Sequence, residues 1–351
     1  MQFNTRFSDY KIVRLTAPVF FPGGAELAAF AAQGLAVTVV DAEEPDELIP
    51  LVQDADIVAL VGTRLPTRVV EGMARCRAIA RLGAGTDKID VARATELGIV
   101  VANTPYFCVE EQADHAMAML LSLARKLTVT QNAMAEGNLA RARRAVSSNQ
   151  RVSAATLGLV GFGRSAIHMA RRARGFGMRV LATRNNKQAP TDQADALGVV
   201  MTDLETILRE SDYVSLHLPL TDATYHLIDS AALQKMKPTA CLINTSRGAL
   251  VDESALFEAL RQGRLAGAGL DTFELIDVFT DQIPPRLHPL TDMENVILTP
   301  HVAAGSVQSA EEMRMTGIQN ILDILSGRWP LAENIVNPMV VPRFSLAPRD
   351  E

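Results

Sequence analysis

Thr156-Leu-Gly-Leu-Val-Gly-Phe-Gly-Arg-Ser-Ala166 is the stretch on which the reading of this chain turns. An apolar run, Leu157 to Val160, meets a Gly-x-Gly turn at Gly161 and Gly163. A helical pattern follows at once, with Ile167, Ala170 and Ala173 on one face. A buried strand that enters a tight glycine turn and then a helix aims bare backbone N–H groups and the positive end of the helix dipole at one spot. That spot suits a pyrophosphate, with Arg164 and Ser165 opening the helix beside it. Ala166 stands where the dinucleotide fingerprint has its third glycine and is small enough for close helix–strand packing. The glycine pattern by itself fits an ordinary turn equally well. Its context decides: a second strand pattern, Arg179-Val-Leu-Ala-Thr-Arg184, begins one helix length later and ends about twenty residues past the glycines, as a βαβ unit requires.

A chain of 351 residues is long for a single core, so two domains are expected. Hydrophobic residues at 48% and charged residues at 21% describe an ordinary soluble globular protein. A net charge of −6 argues against nucleic acid or an anionic membrane as partner, because both reward basic surfaces. Cys76, Cys108 and Cys241 are widely spaced and odd in number. They form neither a metal pattern nor a disulfide framework, which fits buried apolar residues in a reducing cytoplasm. The opening Met-Gln-Phe-Asn-Thr-Arg lacks a signal-peptide core, and no run of about eighteen apolar residues occurs.

Working outward, residues 11–105 alternate short apolar runs with helical patterns. Strands are predicted at residues 11–15, 36–40, 57–61, 78–82 and 99–102, and helices at 24–33, 45–54 and 91–97. This alternation implies a parallel sheet covered on both faces, whose ligands sit beyond the carboxyl ends of the strands. Two such ends stand out, Arg81-Leu-Gly-Ala-Gly-Thr-Asp87 and Asn103-Thr-Pro-Tyr106. Gly83-x-Gly85 could present N–H groups to a small anion. Residues 110–127 read as a long helix, apolar over most of its circumference, which a domain-linking or dimer-forming position would satisfy. Residues 128–155 are polar, and Arg141, Arg143 and Arg144 read as a solvated face. Four more strands then stop at polar residues: Tyr213-Val-Ser-Leu-His-Leu-Pro-Leu220, Ala240-Cys-Leu-Ile-Asn-Thr-Ser-Arg-Gly248, Leu265-Ala-Gly-Ala-Gly-Leu-Asp271 and Asn295-Val-Ile-Leu-Thr-Pro-His301. Further helices are expected at 232–236, 253–262 and 307–325, and the Pro- and charge-rich tail from Val341 to residue 351 is expected to be loose.

Taken together these strand ends resemble the D-isomer-specific 2-hydroxyacid dehydrogenases. The matching segments are Gly83-Ala-Gly-Thr-Asp-Lys-Ile-Asp90, Asn103-Thr-Pro105, Gly161-Phe-Gly-Arg164, His217-Leu-Pro-Leu-Thr221, Asn244-Thr-Ser-Arg-Gly248, Gly269-Leu-Asp-Thr-Phe273, Thr299-Pro-His301 and Asn334-Ile-Val-Asn-Pro338. Their order and spacing, across nearly the whole chain, are far more specific than any one of them. The resemblance implies an α/β fold of two Rossmann-like or flavodoxin-like domains with parallel sheets. Residues 1–105 and 303–340 would form the substrate domain, with a dinucleotide-binding Rossmann domain, 106–302, inserted between them and a loose tail at 341–351. It also implies a homodimer and hydride transfer between NAD or NADP and a small D-2-hydroxy or 2-keto acid, with no metal.

The implied residues have suitable chemistry. A 2-hydroxy acid loses its O–H proton as a hydride leaves C2, and histidine suits proton exchange near neutrality. His301 is the expected general acid/base. Arg247, a permanent cation with a planar donor fork, would hold the substrate carboxylate and polarise the C2 oxygen. Gly83, Ala84 and Gly85 would offer N–H groups to that carboxylate. Asp271 resembles the family aspartate that faces the nicotinamide, and His217, Pro219, Thr221 and Thr245 join Gly161, Gly163, Arg164, Ser165 and His301 as expected cofactor contacts.

Two departures from the family pattern stand out. NAD-dependent members end the second Rossmann strand with an acidic residue on the ribose hydroxyls, but here the place holds Thr183-Arg184-Asn185. Arg184 could bind a 2′-phosphate, so NADP is favoured, with NAD possible. The family's catalytic glutamate falls on Ile276, inside Asp271-Thr-Phe-Glu-Leu-Ile-Asp277. An isoleucine can neither fix a histidine tautomer nor favour the imidazolium. Glu274 is the better substitute by strand alternation, although two residues of displacement is roughly 6–7 Å. A phosphite-type dehydrogenase is the rival enzyme, because the segment from Phe273 to Leu287 resembles that branch. A dinucleotide-sensing protein akin to the related co-repressors is the rival binding module.

Overall fold

The computed structural model describes residues 7–17, 21–277, 279 and 289–349. They fall into two compact units, one drawn from Met1–Phe107, Phe279–Asp281 and Ser306–Glu351, the other from Cys108–Val278 and Gln282–Gly305.

The first unit is built on five parallel strands, β1 (Ile12–Leu15), β2 (Val37–Val40), β3 (Ile57–Leu60), β4 (Ala78–Arg81) and β5 (Val100–Ala102), in the order β2-β1-β3-β4-β5. The predicted strands are all present, because runs such as Ile-Val-Ala-Leu in β3 are buried on both faces and leave no polar side for solvent. Helices Gly24–Ala32, Pro45–Val52 and Val91–Glu96 lie where periodicity put them, and Thr67–Gly72 adds a short one. Helix Val307–Leu325 contributes Ile318, Ile321, Ile324 and Leu325 to a core shared with Ile12, Ile57 and Val100.

The expected loose tail is corrected. Arg343 Nη1 donates to the carbonyls of Met73 (2.8 Å) and Ala74 (3.0 Å), and its N–H to that of Gly98 (3.1 Å). Arg349 Nη1 reaches the buried Asp323 carboxylate at 2.9 Å. A Pro- and charge-rich composition reads as solvated, yet here its cations close orphan carbonyls and a buried acid.

The second unit holds seven parallel strands: β6 (Thr156–Val160), β7 (Arg179–Thr183), β8 (Val199–Met201), β9 (Tyr213–Leu216), β10 (Cys241–Asn244), β11 (Gly267–Leu270) and β12 (Val296–Leu298). Their order, β12-β11-β10-β9-β6-β7-β8, reverses at the β6–β9 pair, the switch point at which doubly wound sheets take their ligands. Helix Val109–Arg125 buries Ala113, Ala116, Met117, Met119 and Leu120 against Leu157, Leu159 and Ile243 of this sheet and Ala166, Met169 and Ala170 of helix Arg164–Gly175. Its apolar circumference is thus covered inside the unit. Its apolarity therefore does not by itself call for a second subunit.

The polar stretch 128–155, for which no element was predicted, contains helices Leu127–Ala135 and Leu139–Ala145. Arg143 and Arg144 are exposed as expected, while Arg141 is ion-paired to Glu136 and Glu294. Cys76, Cys108 and Cys241 are buried and in no disulfide, and burial pushes the Cys76 and Cys241 thiols up to about 12. Among the described residues no helix is long and apolar enough to cross a membrane.

Candidate active site

At the carboxyl end of β6, Gly161 has φ +94°, and a Cβ there would collide with the carbonyl oxygen of His217. Only glycine lets the chain turn so close to the end of β9. Gly163 caps helix Arg164–Gly175 with nothing within 4 Å of where its side chain would be, so the first turn of a twelve-residue helix opens onto free space. Such a helix start suits a pyrophosphate. His217 lies beside it, buried, with Nδ1 bonded to Ser165 Oγ (3.2 Å) and Nε2 to Ser215 Oγ (2.9 Å). Burial pushes its imidazole down to about 4, so the ring is neutral. Beyond it, Thr224 Oγ1 donates to Pro219 O (2.9 Å) and accepts the Thr221 N–H (2.8 Å), which closes that strand end into a turn.

At the end of β10, Thr245 has a buried hydroxyl with no hydrogen-bond partner among the described residues, while its carbonyl accepts from Gln112 Nε2 at 2.8 Å. An orphan hydroxyl at a strand end marks a place for an external polar group. Arg247 follows, half-buried, its Nη1 donating to Ser246 O at 2.7 Å. Gly248 is required sterically, since a Cβ there would overlap the backbone of Phe273 and Glu274. The Arg247 turn is therefore pressed against the segment leaving β11.

The loop after β12 presents His301 in left-handed backbone, φ +56°, which costs an L-residue energy unless its surroundings fix it. Asp271 supplies that. Its carbonyl accepts the His301 N–H (2.8 Å), Oδ1 accepts Thr299 Oγ1–H (2.6 Å) and Val302 N–H (2.9 Å), and Oδ2 accepts Ala303 N–H (2.9 Å). The Asp271 carboxylate, expected to face a nicotinamide, takes three donors from the His301 loop. His115, on helix Val109–Arg125, joins the same cluster, with Nε2 at 2.9 Å from Thr299 Oγ1 and 3.7 Å from Asp271 Oδ1. The sequence reading missed His115, although a lone imidazole on an otherwise Ala-, Met- and Leu-rich helix was the available signal.

Two readings were open for the carboxylate of His301: Glu274 as the better-placed substitute, or no carboxylate at all, the reading preferred. In the structure Glu274 Oε1 accepts from His226 Nε2 (2.8 Å) and Tyr225 OH (3.0 Å) on the loop after β9. The backbone explains it, because the buried Glu253 carboxylate binds the N–H groups of Glu274 (2.6 Å) and Leu275 (3.2 Å) and so directs the side chain away. Ile276 is half-buried. The residues 284–287 that suggested a phosphite-type enzyme lie outside the described residues. Arg184 directly follows β7, the ribose-reading place, and its guanidinium donates to the carbonyls of Pro190 (3.0 Å) and Ala189.

In the first unit, all three carbonyls of the Gly83–Gly85 turn are tied back. Gly83 O accepts Thr104 N–H (3.1 Å), Ala84 O accepts Asn103 Nδ2 (2.6 Å) and Gly85 O accepts Arg81 Nε (2.9 Å). A trans peptide sets its N–H opposite its C=O. The N–H groups of Ala84, Gly85 and Thr86 therefore each point away from these bonds and donate to no acceptor among the described residues.

A Rossmann-ordered sheet with a glycine turn at its switch point, and an arginine and a histidine at the ends of β10 and β12 on either side of β11, has the make-up of a dinucleotide-dependent oxidoreductase. Comparison with known proteins agrees. Residues 117–303 match the family model for the D-isomer specific 2-hydroxyacid dehydrogenase NAD-binding domain. A glyoxylate reductase of Korarchaeum cryptofilum is 41% identical over 296 residues, 84% of this chain and 86% of its own. Among solved structures, the NADPH-dependent glyoxylate/hydroxypyruvate reductase of Sinorhizobium meliloti in complex with NADP and malonate superposes with TM-score 0.81 at 27% identity, covering 96% of this chain and all (100%) of its own. The D-lactate dehydrogenase of Aquifex aeolicus complexed with NAD and lactic acid gives TM-score 0.82 at 26% identity over 93% of this chain and 99% of its own. The chain belongs to the D-isomer-specific 2-hydroxyacid dehydrogenase family. It is an oxidoreductase that transfers a hydride between a nicotinamide dinucleotide and a 2-keto or 2-hydroxy acid.

Proposed function

We propose that the chain is a cytoplasmic reductase of small 2-keto acids, glyoxylate or hydroxypyruvate foremost, that favours NADPH. The observation that carries this is the shared edge in the second unit. The Gly161 cradle, the orphan Thr245 hydroxyl, Arg247 and the braced His301 all stand at carboxyl ends of parallel strands. The bound nicotinamide would supply the hydride at C2. Gly161, Gly163, Arg164 and Ser165 would hold the pyrophosphate, and Thr245 would offer its hydroxyl to the cofactor. His301 would donate a proton to the C2 oxygen as Arg247 stabilises the charge developing there. The N–H groups of Ala84, Gly85 and Thr86 would take the acid's carboxylate, making the first unit the substrate domain and the second the dinucleotide domain. The NADPH preference rests on Arg184, whose fork could exchange two backbone carbonyls for a 2′-phosphate.

A homodimer is part of this reading. Its support has moved from helix Val109–Arg125 to the two helices after it, where Leu127, Met134 and Leu139 are each more than half exposed (54%, 53% and 52%). The test of the function is steady-state turnover of glyoxylate, hydroxypyruvate and pyruvate with NADPH and with NADH. Reduction of glyoxylate or hydroxypyruvate, faster with NADPH, is the expected result, and no turnover of any of the three refutes it.

A further inference from the structure

The carbonyl of Ala84 is held by Asn103, and Asn103 is itself held by two residues far along the chain. Asn320 Nδ2, on helix Val307–Leu325, donates to Asn103 O at 2.9 Å. Asn334 Nδ2 donates to Asn320 Oδ1 at 2.9 Å, and the Asn103 N–H donates to Asn334 O at 2.9 Å. Three asparagines thus close a ring of hydrogen bonds in which each gives one and takes one. All three are buried, at 9%, 2% and 4% exposure for Asn103, Asn320 and Asn334. The backbone carbonyl of Asn103 fixes the orientation of Asn320, since a flipped amide would set oxygen against oxygen and NH2 against NH2. A fourth bond leaves the ring, from Asn103 Nδ2 to Ala84 O at 2.6 Å. Helix Val307–Leu325 is also pressed on this strand end, because a Cβ at Gly317 would overlap the side chain of Leu82.

We infer that Asn320 and Asn334 are positioning residues for the substrate carboxylate: the buried asparagine ring sets the pose of Asn103, and through Ala84 O it keeps the N–H groups of the Gly83–Gly85 turn aimed at the acid. This rests on the proposed reading that the turn binds the substrate. Neither residue touches substrate. An apolar triad would fill the same volume without fixing the rotation of the Ala84 peptide, which the ring fixes through one directed bond. Loss of the ring should therefore appear in substrate affinity more than in turnover or cofactor binding.

Asn320→Ala removes the ring's central amide with a residue that suits a helix, and Asn337→Ala is the control. Asn337 is also buried, accepting from Val101 N–H (2.8 Å) and donating to Ile99 O (2.9 Å) and Thr95 Oγ1 (3.0 Å), with no bond to the turn. With NADPH saturating, Asn320→Ala should raise KM for glyoxylate about five- to tenfold, with kcat and the NADPH dissociation constant within about twofold of wild type. Asn337→Ala should lower Tm comparably and leave KM unchanged. Should Asn320→Ala not accumulate as folded protein, Asn334→Ala opens the ring at another corner and is read the same way. A KM within twofold of wild type in the ring variant, or an equal rise in Asn337→Ala, overturns the inference. Wild-type protein that reduces no 2-keto acid would instead overturn the functional reading, before any variant is made.

Discussion

Acid should dismantle the cofactor cradle through one residue, His217. Its ring is buried between Ser165 and Ser215, and burial sets its folded pKa at about 4, against 6.5 in an unfolded chain. One hydroxyl donates to the neutral ring and the other accepts from it, and both can accept from a protonated ring. The penalty of protonation is therefore desolvation and not a lost hydrogen bond. The folded pKa is depressed, so this stabilisation is fully present above pH 6.5 and is lost as pH falls toward 4, where the unfolded chain takes up a proton that the folded one refuses. Integrated over the shift, the loss is about 2 kcal/mol by pH 5 and about 3 kcal/mol by pH 4. Urea unfolding of wild type and His217→Asn at intervals from pH 7.5 to 4 isolates this, because every other titrating group is common to both proteins. Wild type should lose about 2 kcal/mol more than the variant between pH 7 and 5. Ser165 stands in the first turn of the phosphate-facing helix and Gly161 lies against the His217 carbonyl, so NADPH binding by the folded wild type should hold down to pH 5 and weaken only as pH approaches 4, where the folded ring itself takes a proton. Parallel stability curves for the two proteins would refute the reasoning.

Arg184→Asp should weaken NADPH binding by about 1–3 kcal/mol and spare NADH, and wild type that binds NADH at least as tightly as NADPH removes the basis for the preference. Ile276→Glu should raise reductive turnover near neutral pH, whereas Glu274→Ala should leave the pH profile of turnover in place and act on stability, since its carboxylate serves His226 and Tyr225. The opposite pattern in pH–rate profiles would restore Glu274 as the partner of His301. Sedimentation should show a dimer at micromolar concentration that Leu127→Asp with Leu139→Asp converts to monomer, and a wild-type monomer contradicts the assembly.

Much of this fold can be read from apolar runs, because a parallel strand buried on both faces leaves little ambiguity. Ile-Val-Ala-Leu at 57–60 and Thr-Leu-Gly-Leu-Val at 156–160 are strands for that reason. The strand ends were equally legible, since each run stops at a polar or glycine residue that a core strand would not tolerate. What the sequence hid is which partner a polar side chain takes. Glu274 stands two residues from the place of the family glutamate, yet Glu253, twenty-one residues earlier, fixes its backbone and turns it toward His226. Helices 127–135 and 139–145 were illegible because their polarity masks a weak periodicity, and Ala133 and Ala142 are their only buried side chains. The tail misled by composition, for Arg343 and Arg349 are directed to carbonyls and a buried carboxylate that local sequence does not reveal.

The acids around the second unit's strand ends share a common task. Asp271 gathers three donors from the loop that carries His301, and Glu274 ties the loop after β9 to the segment that Gly248 presses upon. Neither carboxylate hydrogen-bonds the His301 imidazole among the described contacts. Both fix backbone: Asp271 holds a left-handed histidine that would otherwise relax, and Glu274, with Glu253, closes a circuit around the Arg247 turn through the His226 N–H on Ala249 O at 2.8 Å. Removing either should therefore cost stability and geometry together, whereas a carboxylate added at position 276, the place of the family glutamate, should act on proton handling. The effects of Asp271→Asn and Ile276→Glu on turnover should for that reason separate: the first should fall with Tm at every pH, and the second should move only the pH at which reduction declines. A pH profile displaced in Asp271→Asn with Tm unchanged would assign Asp271 to the proton and not to the loop.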